Sequence, residues 1–180
     1  MRKRYSKAQW LKKSLDVITR QGFGGIVIDN IVNSMGVTKG SFYWHFKDRE
    51  DFLEHLVTYW DENFTKSVMS HVDSIKKGAN ERLLELMVFI TKKQLARYDS
   101  AIRSLAHNEP GFSRKIQRVF ESRIEYVASL FKEMGYKGTD LEMRSRITVM
   151  FMSQEQNILQ TKNINEQLQL IKKSHAMLTC

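Results

Sequence analysis

The sequence has little of what marks many classes of protein function. Of its 180 residues, one is cysteine and one is proline. Cys180 alone cannot close an internal disulfide or build a cysteine-rich zinc site, which fits a reducing cytosol and an exposed terminal thiol. With nine glycines, nothing reads as a low-complexity linker, and no fixed-period repeat occurs. The longest apolar run, Val149-Met150-Phe151-Met152, is far too short to cross a bilayer. No apolar stretch follows the basic start, so no signal peptide and no membrane partner are expected. The sequence has no G-x-S-x-G, P-loop, H-E-x-x-H or Cys/His metal spacing. His107-Asn108-Glu109 lacks the paired cysteines of a zinc deaminase. No catalytic residue, metal or cofactor is therefore expected.

Acids are scarce near the start. Residues 1–49 carry ten basic and three acidic side chains, a net +7 out of the chain's total of +9. A basic head on a near-neutral body suggests a polyanionic partner. On charge alone, a solvated surface explains the bias equally well.

What is abundant is helical periodicity, with no strand-like alternation bounded by turns. Ser6-Lys7-Ala8-Gln9 reads as a capping box before a first helix whose inner face is Trp10, Leu11, Ser14, Leu15 and Ile18. Gly22, Gly24 and Gly25 end it. A short second helix turns Ile28, Ile31, Val32 and Met35 inward and stops at Gly36. Thr38 is placed to cap a short third helix with Phe42 and Phe46 on one side. Asp48 caps a long fourth helix, expected to run from Arg49 past Trp60 and Phe64 as one rigid element. Further helices are expected from about Asn80, from Phe112 to Met134, behind Thr139-Asp140-Leu141-Glu142, and after Asn163.

Two short amphipathic helices meeting at a tight glycine turn form the helix-turn-helix plan, in which the second helix enters the DNA major groove. With Phe42 and Phe46 inward, Gly40, Ser41, Tyr43 and Trp44 must point largely away from the core. Groove contact would explain such an exposed aromatic pair. Packing of Tyr43 and Trp44 on the first or fourth helix is the alternative.

These residues carry a family resemblance. Gly36-Val37-Thr38-Lys39-Gly40, then Tyr43-Trp44-His45-Phe46, resembles the signature of the tetracycline-repressor (TetR) family. The likeness covers about residues 6–55 and includes Gly22-Phe23 and the basic Arg49. It implies an all-α fold: an N-terminal three-helix DNA-binding domain, residues 1–50, joined through the fourth helix to a helical dimerisation and effector domain, residues 51–180. It also implies that Lys39, Gly40, Ser41 and Trp44 face the groove, that Tyr43 and His45 bond phosphates, and that Thr38 caps. Lys47 and Arg49 would meet the DNA backbone, and the arm Arg2-Lys3-Arg4 would reach the minor groove or flanking phosphates. Two departures stand out. Val27 replaces the family's usual Thr and can neither cap the second helix nor touch a phosphate. Val32 and Met35 replace the preferred Ala and alter packing between the two short helices.

For the body, the resemblance implies a homodimer and a small-molecule pocket. In the last helix Ile164, Leu168, Ile171, His175 and Leu178 recur with four-then-three spacing. The preceding helix carries Ile147, Phe151, Gln154 and Ile158 on one side. Together they predict a four-helix interface with a twofold copy, an intramolecular core being the alternative. Phe64, Met87, Ile90 and Phe120 are candidate pocket residues among many methionines and phenylalanines that also serve as core. Arg103, His107 and Glu155 are candidates to orient a polar group. The expected function is a cytoplasmic DNA-binding regulator, a repressor by family default. It would bind a palindromic operator as a dimer and be released by a small apolar or amphipathic effector. A regulator without an effector, controlled by a protein partner or by occupancy, is the alternative, and an enzyme is a remote third.

Overall fold

Ser6 starts the first helix as its sequence predicts. Its Oγ accepts from Gln9 N–H at 3.3 Å, and Gln9 Oε1 accepts from Ser6 N–H at 2.9 Å. This reciprocal box satisfies two backbone donors that the first turn leaves open. Helix α1, Lys7–Gln21, buries Trp10, Leu11, Ser14, Leu15, Val17 and Ile18. The computed structural model describes residues 4–22, 26–158 and 163–180, without the side chains of residues 155–158. The expected roles of Arg2, Lys3, Phe23, Gly24 and Gly25 lie outside the described residues.

Helix α2, Ile28–Met35, starts at Val27, whose side chain makes no capping bond. Ile31, Val32 and Met35 face inward, and Gly36 ends the helix in the left-handed region at φ 66°. Val37 N–H then donates to Val32 O at 3.0 Å. The left-handed conformation at that turn favours glycine. Helix α3, Lys39–Tyr43, is capped by Thr38 Oγ1, which accepts from Ser41 N–H at 3.3 Å. Helix α4, Arg49–Asp61, is capped by Asp48 Oδ1 on Asp51 N–H at 2.8 Å. The remaining helices are α5 (Ser67–Asp73), α6 (Ala79–Lys92), α7 (Ala96–Asn108), α8 (Pro110–Glu133), α9 (Gly138–Ile158) and α10 (Ile164–Leu178). The fold is all-α, with no strand among the described residues.

The long fourth helix is not the uninterrupted rod expected from its sequence. Its hydrogen bonding changes from α to π at Glu62–Lys66 before α5 begins. A π turn accommodates one extra residue in the helical register. Here it carries Thr65, which is buried, and whose Oγ1 accepts from Arg123 Nε and Nη2 at 2.9 and 2.8 Å.

The chain packs as two compact units, and the division is not a single cut in sequence. One unit joins Met1–Glu62 to Tyr98–Ile116; the other joins Asn63–Arg97 to Gln117–Cys180. In the first unit, α7 is tied to α4 by a buried and to α1 by a part-buried hydrogen bond. Trp60 Nε1–H donates to Asp99 Oδ1 at 3.0 Å, and Tyr98 O–H donates to Asp16 Oδ1 at 2.7 Å.

The second unit is built around Val68, Val72, Leu83, Met87, Leu130, Phe131 and Ile171. Two residues of the expected dimer seam are buried in or beside this core. Ile171 is fully buried in that core, and His175 is buried with Nε2–H donating to Asn80 O at 2.9 Å. Ile171 and His175 of the α10 stripe therefore pack within their own chain, His175 against α6. Leu168 and Phe151 are half-buried, Phe151 against the same core. The side chain of Ile158 lies outside the described residues. Ile147 and Ile164 are exposed, and Met143 and Met150 are exposed beside Ile147 on α9.

Candidate nucleic-acid interface

An aromatic cluster fixes the short helix α3. Phe42 and Phe46 are buried and stack edge-on with Trp10 at 5.9 and 6.2 Å between ring centroids. Phe52 of α4 packs on both, at 5.4 and 5.1 Å. Edge-to-face pairs at these spacings are favourable geometries for aromatic rings. A five-residue helix has little stability of its own, so this cluster sets where its outer face points.

That outer face holds the residues the sequence assigns to DNA. Trp44 is 82% exposed and Tyr43 56% exposed. The alternative of packing on α1 or α4 therefore fails for Trp44. Tyr43 meets Phe42 edge-on, with ring centroids 5.2 Å apart. Thr38, Lys39, Gly40 and Lys47 are also exposed, and Ser41 is half-buried. Together with Arg4 and Tyr5, residues Thr38, Gly40, Ser41, Trp44 and His45 line an open groove of about 690 Å³.

Three expected contacts are already engaged within the unit. His45 Nε2 donates to Tyr5 O at 2.9 Å, tying the N-terminal arm to the end of α3. Lys39 Nζ pairs with Asp29 Oδ1 at 2.7 Å. Hydrogen bonding to Asp29, reinforced by its charge, holds the Lys39 ammonium above the ordinary lysine value. Arg49 Nη2 donates to Glu109 Oε1 at 2.6 Å. Sequence reading missed both acids. Asp29 lies ten residues from Lys39 and Glu109 sixty from Arg49, separations at which only the tertiary fold makes a pair.

The candidate pocket residues Phe64, Met87, Ile90 and Phe120 belong to the second unit. Met87 is fully buried in its core, and Ile90 and Phe120 pack against that core. Phe64 is half-buried on the π turn. Arg123 stacks over Phe120, with its guanidinium carbon 5.1 Å from the ring centroid. Arg103 is half-buried and His107 exposed on α7 in the first unit; the side chain of Glu155 lies outside the described residues.

Comparison with known proteins converges on this segment. Residues 11–56 match the model of the family described as bacterial regulatory proteins, tetR family. Residues 11–56 thus carry the DNA-binding helix-turn-helix of the TetR family of transcriptional regulators. It is 33% identical over 54 residues to the uncharacterized HTH-type regulator YerO of Bacillus subtilis, which covers 30% of this chain and 19% of that protein. It is 23% identical over 138 residues to the probable HTH-type regulator YttP of the same organism, covering 73% of this chain and 65% of that protein. These matches thus span from about a fifth to just under two thirds of the relatives' length. In fold, the chain is similar to a cysteine mutant of the TetR-family regulator CifR solved with 26-base-pair operator DNA. The TM-score is 0.75 at 12% identity, over 98% of both chains. No helix among the described residues is long and apolar enough to cross a membrane.

Proposed function

We propose that this chain is a transcriptional repressor that binds a palindromic operator as a homodimer and leaves it when a small apolar or amphipathic molecule occupies the body. Residues 1–50 form the DNA-binding segment, and residues 51–180 carry dimerisation and the effector. The protein acts in the cytoplasm. The observation that carries the reading is the outer face of α3, where Trp44 and Tyr43 stand exposed on a helix anchored by Trp10, Phe42 and Phe46. A large exposed aromatic pair costs a free surface and gains when covered. It sits beside Lys39, Lys47 and Arg4 on the basic head.

Dimerisation is supported by α9, which is apolar on two sides. Val149 and Met152 face the core, while Met143, Ile147 and Met150 are exposed. Two copies would place their α3 helices in half-sites one helical turn apart, about 34–36 Å. Titration of duplex libraries at several salt concentrations tests the reading. Tight binding to one palindrome that weakens steeply with salt supports it, since several phosphates would release counterions. Absence of duplex binding at low salt overturns it.

A second reading, a regulator without an effector, draws on Met87. That side chain is fully buried among Leu83, Leu86 and Phe131, as a core residue rather than the wall of an open pocket. Operator affinity that no member of a broad ligand library changes would favour it.

A further inference from the structure

Three acids stand in the basic head, and each has a different task. Asp16 accepts from Tyr98 and pairs with Lys12; Asp48 caps α4. Asp29, on the first turn of α2, reaches instead to the first residue of α3, with Oδ1 2.7 Å from Lys39 Nζ. Both side chains are more than half exposed, at 53% and 60%. An exposed ion pair contributes little to folding. A carboxylate on a face meant for phosphates also opposes binding. The pair therefore sits where it weakens affinity and adds little stability.

We propose that Asp29 is a specificity-determining residue of the DNA interface, holding the Lys39 ammonium toward base edges and away from phosphates. The inference rests on the DNA-binding reading above. A lysine ammonium is a compact charge on a flexible stem. Untethered beside a duplex, it goes to the nearest phosphate, and phosphate contacts carry no sequence information. Tethered at the start of the recognition helix, whose N-terminal residues meet base edges, it becomes a directed donor suited to guanine O6 or N7. The Asp29 carboxylate does both halves of the work. It fixes the stem by attraction, and it repels the phosphate that would otherwise capture the head group. Lys39 stays charged throughout.

The test is selection on a randomised duplex library with the full chain, as wild type, Asp29→Asn, Lys39→Ala and the double variant, together with salt titrations on a random-sequence duplex. Asp29→Asn and Lys39→Ala should lose preference at the same base pair, by roughly tenfold or more for a good base contact. The double variant should be no less selective than Lys39→Ala. Asp29→Asn should bind random sequence more tightly, with a salt slope steeper by about one phosphate contact. Because the pair is exposed, thermal melts should be nearly unchanged, so lost selectivity does not reflect unfolding. The proposal is overturned if Asp29→Asn leaves base preference intact. It is also overturned if its effect falls at a base pair that Lys39→Ala does not touch, or persists in the Lys39→Ala background. Failure of the wild type to bind any duplex at low salt would instead remove the DNA-binding reading, and this inference with it.

Discussion

Arg49, the first residue of α4, donates from Nη2 to Glu109 Oε1 at 2.6 Å, across sixty residues of sequence. Family resemblance assigns Arg49 to the DNA backbone, but its guanidinium is half-buried and already matched by a carboxylate. A charge neutralised inside its own unit releases few counterions on binding DNA. Arg49→Ala should therefore destabilise the protein by about 1 kcal/mol, read by urea unfolding, and leave the salt slope of operator binding unchanged. A slope that falls by about one would return Arg49 to the phosphates.

Gly40 separates protein requirements from DNA requirements. A Cβ built there meets only Thr38 Oγ1, at 3.7 Å, an ordinary contact. Glycine also loses more freedom on folding than alanine. Gly40→Ala should leave the fold intact or stabilise it by about 0.5–1 kcal/mol, while weakening operator binding, because the added methyl lies on the face assigned to DNA in the proposed function. Unchanged operator affinity in a well-folded Gly40→Ala would take this position out of the interface.

Much of this architecture is legible in the sequence because it rests on local signals. The Ser6–Gln9 box, the Gly36 turn, the Thr38 and Asp48 caps and the Phe42/Phe46 pair each involve residues within five of one another. What is not legible is long-range. Periodicity shows that Ile171 and His175 share a face but not what the face meets, and α6 of the same chain is as good a partner as a second copy. The π turn at Glu62–Lys66 has no local signature, since its buried Thr65 is satisfied by Arg123 from α8. The inclusion of Tyr98–Ile116 in the first packing unit likewise depends on Asp99 and Asp16 finding Trp60 and Tyr98.

Tyr43 and Trp44 should behave differently despite being neighbours. The Tyr43 hydroxyl is assigned to a phosphate, so Tyr43→Phe should weaken binding to all duplexes alike. Trp44 is assigned to the groove, to which it would offer a large apolar surface and one N–H donor, so Trp44→Ala should shift which operator is preferred, at a cost of about 1–3 kcal/mol at the affected base pair. Neither change should move the melting temperature appreciably, since both side chains are mostly exposed. Selection on a randomised duplex library distinguishes them. A uniform loss from Trp44→Ala, with altered preference from Tyr43→Phe, would invert the assignment.

The proposed dimer face can be separated from the core by two substitutions of the same kind. Met143, Ile147 and Met150 are spaced four and three apart, so they form one stripe on α9, and they are 54%, 47% and 66% exposed. Val149 and Met152, on the other side of the helix, are nearly fully buried. A helix that is apolar on both sides is normally covered on both. Ile147→Glu should therefore give a folded monomer, with stability of the unit changed by only about 0.5 kcal/mol as for most surface substitutions. Ile171→Glu should unfold or precipitate the protein, because it forces an unpaired charge into a filled core. Operator affinity of Ile147→Glu should also collapse, since two half-sites would no longer be linked and each would be bound at the affinity of one head. Sedimentation and circular dichroism at matched concentrations decide the matter. A folded Ile147→Glu that remains dimeric would take this face of α9 out of the interface and leave the assembly to the exposed end of α10 around Ile164.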